Sequence, residues 1–146
     1  MNIRDENGSI LPLIIGGCAL ALALILGVSS ATSLYLERKR LLTIADGAAL
    51  VAAQSFDTSI PPRPTAAGAM SPVLSPSSVV IGAQLYFANL PAQGSHSVLL
   101  VSATSPDSRT ATIRVRSQWQ PPVISYFFPA GFALDATASA RSVFAG

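Results

Sequence analysis

The sequence predicts an α+β chain: a long N-terminal transmembrane and amphipathic helix, then a small antiparallel β-sheet domain. Three observations predict it. Residues 7–36 carry no charged side chain. Helical periodicity then continues without a breaker to residue 56. From residue 79 onward the apolar period is two, interrupted by clusters of Pro, Ser and Gly.

The apolar run explains the composition. Only 11% of the 146 residues are charged, where a soluble domain carries about 25%. Residues 10–36 read ILPLIIGGCALALALILGVSSATSLYL, and a bilayer core requires about 20 apolar residues in a helix. Pro12 falls in the first turn, where a missing N–H costs little. The run is longer than the roughly 7–15 residues of a secretory signal, and no A-x-A site follows it, so an uncleaved anchor is expected. Ile15-Gly16-Gly17-Cys18 has the look of a lipobox. A lipobox ends its hydrophobic run, however, and this run continues far beyond Cys18. Cys18 is read as a small apolar helix residue.

Ala19, Ala23, Gly27 and Ala31 recur every four residues, with Gly17 and Ala21 nearby. Such small side chains allow a second helix backbone to approach in lipid. Gly17, Ala19, Ala23, Gly27 and Ala31 are therefore the candidate helix-packing residues.

Glu37-Arg38-Lys39-Arg40 closes the apolar run. Leu34, Leu41, Ala45, Ala48 and Ala52 then form an apolar stripe, with Arg38, Asp46 and Gly47 off it. One helix from Leu11 to Phe56 is expected, its Gly47 tolerated at modest cost. Residues 57–78 contain five prolines and read as a loose, polyproline-like linker. Four strands are expected beyond it. The first alternates Ile81, Ala83, Leu85 and Phe87 against Gly82, Gln84 and Tyr86. The second is residues 98–104, joined by the turn Ser105-Pro106-Asp107-Ser108-Arg109 to a third at residues 110–119, with Ile113 and Val115 opposite Arg114 and Arg116. Pro121 and Pro122 break the sheet. The last strand alternates Phe132, Leu134, Ala136, Ala138 and Ala140 with Ala133, Asp135, Thr137, Ser139 and Arg141. So small a sheet needs a cover, and residues 41–56 of the helix supply one. The chain thus divides into a tail (1–9), a transmembrane helix (10–36), its amphipathic extension (37–56), a linker (57–78) and a β-rich domain (79–146).

The chemistry-bearing residues are sparse. His96 is the single histidine and Cys18 the single cysteine, so no zinc ligand set forms. No G-x-S-x-G or phosphate-binding glycine loop occurs. No catalytic, cofactor or metal site is assigned, and no enzyme activity is expected. The net charge of +2 is scattered, which argues against nucleic acid as a partner. Tyr126-Phe127-Phe128 reads equally as core or contact patch.

Residues 5–9 (DENGS) precede the apolar helix. Tyr35-Leu36-Glu37-Arg38-Lys39-Arg40-Leu41 follows it, and then Ala45-Asp46-Gly47-Ala48-Ala49-Leu50-Val51-Ala52-Ala53. This succession resembles the TadE/TadG-like proteins of the bacterial tight-adherence (Flp) pilus system, best over residues 5–53 and more loosely over 110–145. If Gly8 were a prepilin cut site, the fifth following residue would be Leu13 and not Glu. That departure favours the uncleaved, TadG-like branch. The resemblance implies a fold pilin-like in outline. It also implies a structural or assembly role in a pilus or secretion machine. The partners would be the membrane, other pilus or secretion-system membrane proteins, and further copies of the chain. A membrane-tethered extracytoplasmic ligand-binding module or lipoprotein is the alternative. Topology evidence conflicts. Arg4 alone flanks the helix on one side and Arg38, Lys39 and Arg40 on the other, which by the positive-inside rule keeps the C-terminal domain in the cytoplasm. The resemblance implies a single-pass protein of the cytoplasmic membrane with that domain outside, and this is the expectation adopted.

Overall fold

A computed structural model describes residues 10–66, 68, 70–91, 98–121, 125 and 130–142. His96 and Tyr126-Phe127-Phe128 lie outside the described residues. Helix α1 (Ile10–Gln54) runs unbroken for 45 residues. At 1.5 Å per residue it is about 68 Å long. In its first half the most apolar 18-residue window is 0% buried among the described residues, with mean hydropathy 2.5. Its second half is embedded: Glu37, Leu41, Ile44, Ala45, Ala48, Ala49, Ala52 and Ala53 are buried. The expected stripe is therefore the packing face, widened by Ile44, Ala49 and Ala53.

Beyond α1 the chain turns through Asp57, whose carboxylate accepts from the Ser59 N–H at 2.8 Å and hydroxyl at 2.7 Å. Those bonds, the side-chain one foremost, hold the Asp57 carboxyl below the usual carboxylate range. The proline-rich segment carries two short strands. Strands β1 (Arg63–Pro64) and β2 (Met70–Ser71) pair antiparallel. Leu74 is 1% exposed, and its N–H donates to the Ser108 carbonyl at 2.8 Å.

The first expected strand is instead a helix, α2 (Pro76–Ala88). Ser75 is its N-cap, accepting from the Ser78 N–H at 3.1 Å, and Pro76 opens the first turn. Asn89 closes it, its N–H and side-chain amide both donating to the Leu85 carbonyl. Ser-Pro-Ser-Ser is thus a helix start and not the end of a linker. Val79, Gly82 and Ala83 are buried, an i, i+3, i+4 set that shares one face of a helix. Over so short a run, the alternate apolar positions fit a strand equally well.

The sheet therefore has three strands, β3 (Val98–Thr104), β4 (Thr110–Trp119) and β5 (Phe132–Arg141), in the order β3-β4-β5, all antiparallel. The expected turn and alternation hold here. Ala111, Ile113, Val115, Ser117 and Trp119 are buried, while Arg114, Arg116 and Gln118 are exposed. Helix α1 lies across β4 and β5, and α2 lies against α1 and β3. Alanines on α1 (45, 48, 49, 52) face a sheet that is itself alanine-rich (111, 136, 138). The bulk in this core comes from Leu41, Leu74, Val79, Ile113 and Val115. Gly47 also has a specific reason. A Cβ there would overlap the Tyr86 hydroxyl and lie 2.8 Å from its ring carbon Cζ.

The β3–β4 turn is built on Asp107. Its carboxylate accepts from the Arg109 N–H (3.0 Å), the Thr110 N–H (2.6 Å) and the Thr110 hydroxyl (2.8 Å). Slight burial pushes this carboxyl up, but those hydrogen bonds together outweigh it and hold it below the usual range. An acid with a depressed folded pKa contributes stability above its unfolded value, near 3.9, and loses it as pH falls through the folded value. Asp107→Ala is expected to be less stable than wild type at neutral pH. The gap should begin to narrow as pH falls below about 4 and close only below the depressed folded value, where the carboxylate is protonated in both states. Denaturant unfolding followed by the fluorescence of Trp119, the one tryptophan, reads it. Asp57 and Asp135 titrate in both proteins and cancel from the difference. A gap unchanged at about pH 3 would show that Asp107 acts by packing and not by charge.

Candidate functional site: the helix–sheet junction

The junction is set by a match of pitch. Four residues of helix advance about 6 Å, and two residues of strand advance about 6.6 Å. Ser33 and Glu37 on α1 are four apart, and Trp119 and Ser117 on the inward face of β4 are two apart. They meet in order. The Trp119 indole N–H donates to the Ser33 hydroxyl at 3.2 Å, and the Ser117 hydroxyl donates to Glu37 Oε1 at 2.9 Å. Ser117 is 1% and Glu37 8% exposed. Arg40 Nη1 stands 3.9 Å from Glu37 Oε2, too far for a direct hydrogen bond. The buried carboxylate is thus held by a neutral donor and a nearby cation, as a buried charge requires. The same pitch continues inward through Leu41 and Ala45 on the helix and Val115 and Ile113 on the strand, all buried.

At the outer end Trp119 pairs across the ladder with Phe132, their ring centroids 6.2 Å apart. Phe132 is 53% and Tyr35 65% exposed. A groove of about 460 Å³ lies beside them, lined by Ala31, Leu34, Tyr35, Arg38, Leu134 and Asp135 among others. Asp135 is turned toward Arg116, whose Nε and Nη2 donate to its two oxygens at 2.8 and 3.2 Å. That pairing holds the Asp135 carboxyl low and the Arg116 guanidinium high.

Of the candidate packing residues, Gly17, Ala19, Ala23, Gly27 and Ala31 all lie on the exposed part of α1. A Cβ at Gly17 or Gly27 would meet nothing within 4 Å. Helical geometry groups Ala19, Ala23, Gly27 and Ala31 along one slowly winding row, and sets Gly17 about 160° round from Ala19. Sequence reasoning missed the polar junction itself. Glu37 was read as part of a charged exit, yet it sits four residues before Leu41 on the buried stripe. Ser117 occupies an inward phase of β4. Those two phases were the available signal. Among the described residues no three His, Cys, Asp or Glu side chains cluster as a metal site.

Residues 8–55 match the Tad family model, "Putative Flp pilus-assembly TadE/G-like". Over that segment the chain is similar to the TadE/G-like family. The match covers about a third of the 146 residues and ends one residue past α1, so the TadE/G-like segment is this helix, both its bare half and its embedded half. No curated protein and no solved structure matches the chain. Helix α1 is long and apolar enough to cross a membrane, and together with the TadE/G-like match it points to association with a membrane. The α2–sheet unit, with Trp119 and Ser117, is what the chain adds beyond that segment.

Proposed function

We propose that this protein is a membrane-anchored structural or assembly component of a Tad/Flp-type pilus or related secretion machine. The observation that carries the reading is the coincidence of the TadE/G-like match with α1, whose lipid-length half is unburied among the described residues. In this reading α1 is an uncleaved, single-pass anchor in the cytoplasmic membrane, as in the TadG-like branch, and residues 57–146 lie outside the cytoplasm. Cys18, eight residues inside α1, stays as a helix residue. The partners are membrane proteins of the same machine, including further copies of this chain, met through Ala19, Ala23, Gly27 and Ala31. No catalytic step is assigned to the chain.

Topology tests the reading, because the Arg38-Lys39-Arg40 cluster argues for the opposite orientation. A cysteine at Thr58, exposed just beyond α1, in a Cys18→Ser background gives the probe. An impermeant thiol reagent is expected to label it in intact cells whose outer layers admit the reagent. Deleting the gene is then expected to impair pilus display. Protection until the cytoplasmic membrane is opened would place the domain inside and remove the envelope role.

The packing row has its own test. Ala23→Leu with Gly27→Leu fills the row, and close backbone approach carries much of helix association in lipid, where single polar contacts contribute only about 1 kcal/mol. Co-purification or self-association in membranes is expected to weaken. Unchanged association would mean that this face meets only lipid.

A further inference from the structure

The junction lies at a depth that the length of α1 determines. Starting at Ile10, about 20 helical residues cross the hydrocarbon core, so the core ends near Ser29, and the headgroup layer, about 5–7 Å deep, takes the next four or five residues, to about Leu34. If the helix sits deeper and leaves lipid only at Leu36, the junction sinks further. In either placement Ser33, and Trp119 bonded to it at 3.2 Å, lie at or below headgroup level. The surface there is amphipathic in the way an interface favours. Tyr35, Leu36 and Phe132 are exposed apolar or aromatic groups, and Tyr and Trp favour this depth. Arg38 and Lys39 are exposed immediately above them. The two nearby carboxylates are turned elsewhere, Glu37 inward to Ser117 and Asp135 toward Arg116.

We infer that the junction end of the sheet is seated in the membrane interface, and that the groove between Tyr35 and Leu134 holds an anionic phospholipid. Its phosphate lies beside Arg38 and its upper acyl chain along Leu34 and Leu134. This rests on α1 spanning the bilayer. The seat fixes the α2–sheet unit against the membrane surface, so the unit does not swing free on the helix. It also gives Arg38 and Lys39 a role independent of topology, because an anionic leaflet attracts them on either side.

Trp119 is a built-in depth probe. The full chain is reconstituted in vesicles of phosphatidylcholine and phosphatidylglycerol, with one lipid brominated at a time, either near the headgroup or near the chain end. Trp119 emission is expected to be lost chiefly to headgroup-proximal bromines, and more to brominated phosphatidylglycerol than to phosphatidylcholine. Arg38→Gln is expected to weaken the headgroup preference about fivefold, the share of one interfacial cation, while Arg38→Lys retains it. Protein that floats with the vesicles but shows no quenching leaves α1 as an anchor and overturns the seat. Equal quenching by the two lipids overturns the anionic site. Quenching that vanishes as the protein-to-lipid ratio rises gives the groove to another copy's helix and overturns the lipid assignment. Protein that does not float overturns the spanning helix and the seat together.

Discussion

Gly82→Val is expected to destabilise the domain by about 1–3 kcal/mol, toward the upper end of what overpacking costs. At Gly82 the two helices approach closely. A Cβ there would lie 3.0 Å from the Ala52 Cα and 2.9 Å from the Ser55 Cβ, and would overlap the Ser55 hydroxyl. That hydroxyl is engaged with the Val51 carbonyl at 2.8 Å, and Ala52 presents backbone, which cannot rotate away. Valine adds two further methyls to the overlap, so α2 must lift from α1 and uncover Val79 and Ala83, both 0% exposed. Denaturant unfolding in detergent, followed by Trp119, measures the loss. Gln84→Val, two residues along on the exposed side, supplies the helix-propensity control, worth a few tenths of a kcal/mol. Adding Ser55→Ala should not restore Gly82→Val, since the Ala52 backbone remains. Full restoration would show that the conflict was with the hydroxyl alone.

Ile113→Ala is expected to cost about 2–5 kcal/mol, in the upper part of the range for such truncations. Ile113 is 0% exposed at the centre of β4, the middle strand. Cavity cost depends on how far neighbours collapse into the space. The core here is dominated by alanine: Ala45, Ala48, Ala52, Ala136 and Ala138. An alanine has no rotamer with which to reach a void, so little relief is available. Ile113→Val removes one methylene and should cost about 0.5–1.5 kcal/mol. Similar losses for the two substitutions would mean that the helix closes onto the sheet. That closure would show as a Trp119 emission shift, because Trp119 lies on the same strand face.

Elements with a long or strongly periodic signal were legible in the sequence alone. The charge-free run and the alanine stripe required one continuous helix, because nothing between Pro12 and Ser55 breaks it and its buried face repeats at helical spacing. The inward and outward sides of β4 and β5 followed from strict alternation over ten residues each, since a one-residue slip would bury Arg114 and Arg116. The likeness to TadE/G-like proteins was legible for the same reason: the matched residues 8–55 take in all of α1, where the sequence is patterned end to end.

The tertiary structure decided what short segments and isolated residues do. Ile81, Ala83, Leu85 and Phe87 satisfy a strand period, but the Ser75 cap, Pro76 and the closeness of Gly82 to α1 make the segment a helix. In so short a run, capping and packing outweigh alternation. In the proline-rich stretch Leu74 has a buried place and a hydrogen bond to Ser108, a partner 34 residues away. Glu37 gives the sharpest case. As sequence it is one charge among four at a membrane exit. Its burial follows from the shared pitch of helix and strand, which brings Ser117 within 2.9 Å across 80 residues of chain. Pairing over such a distance depends on where both elements lie, and no local pattern encodes that.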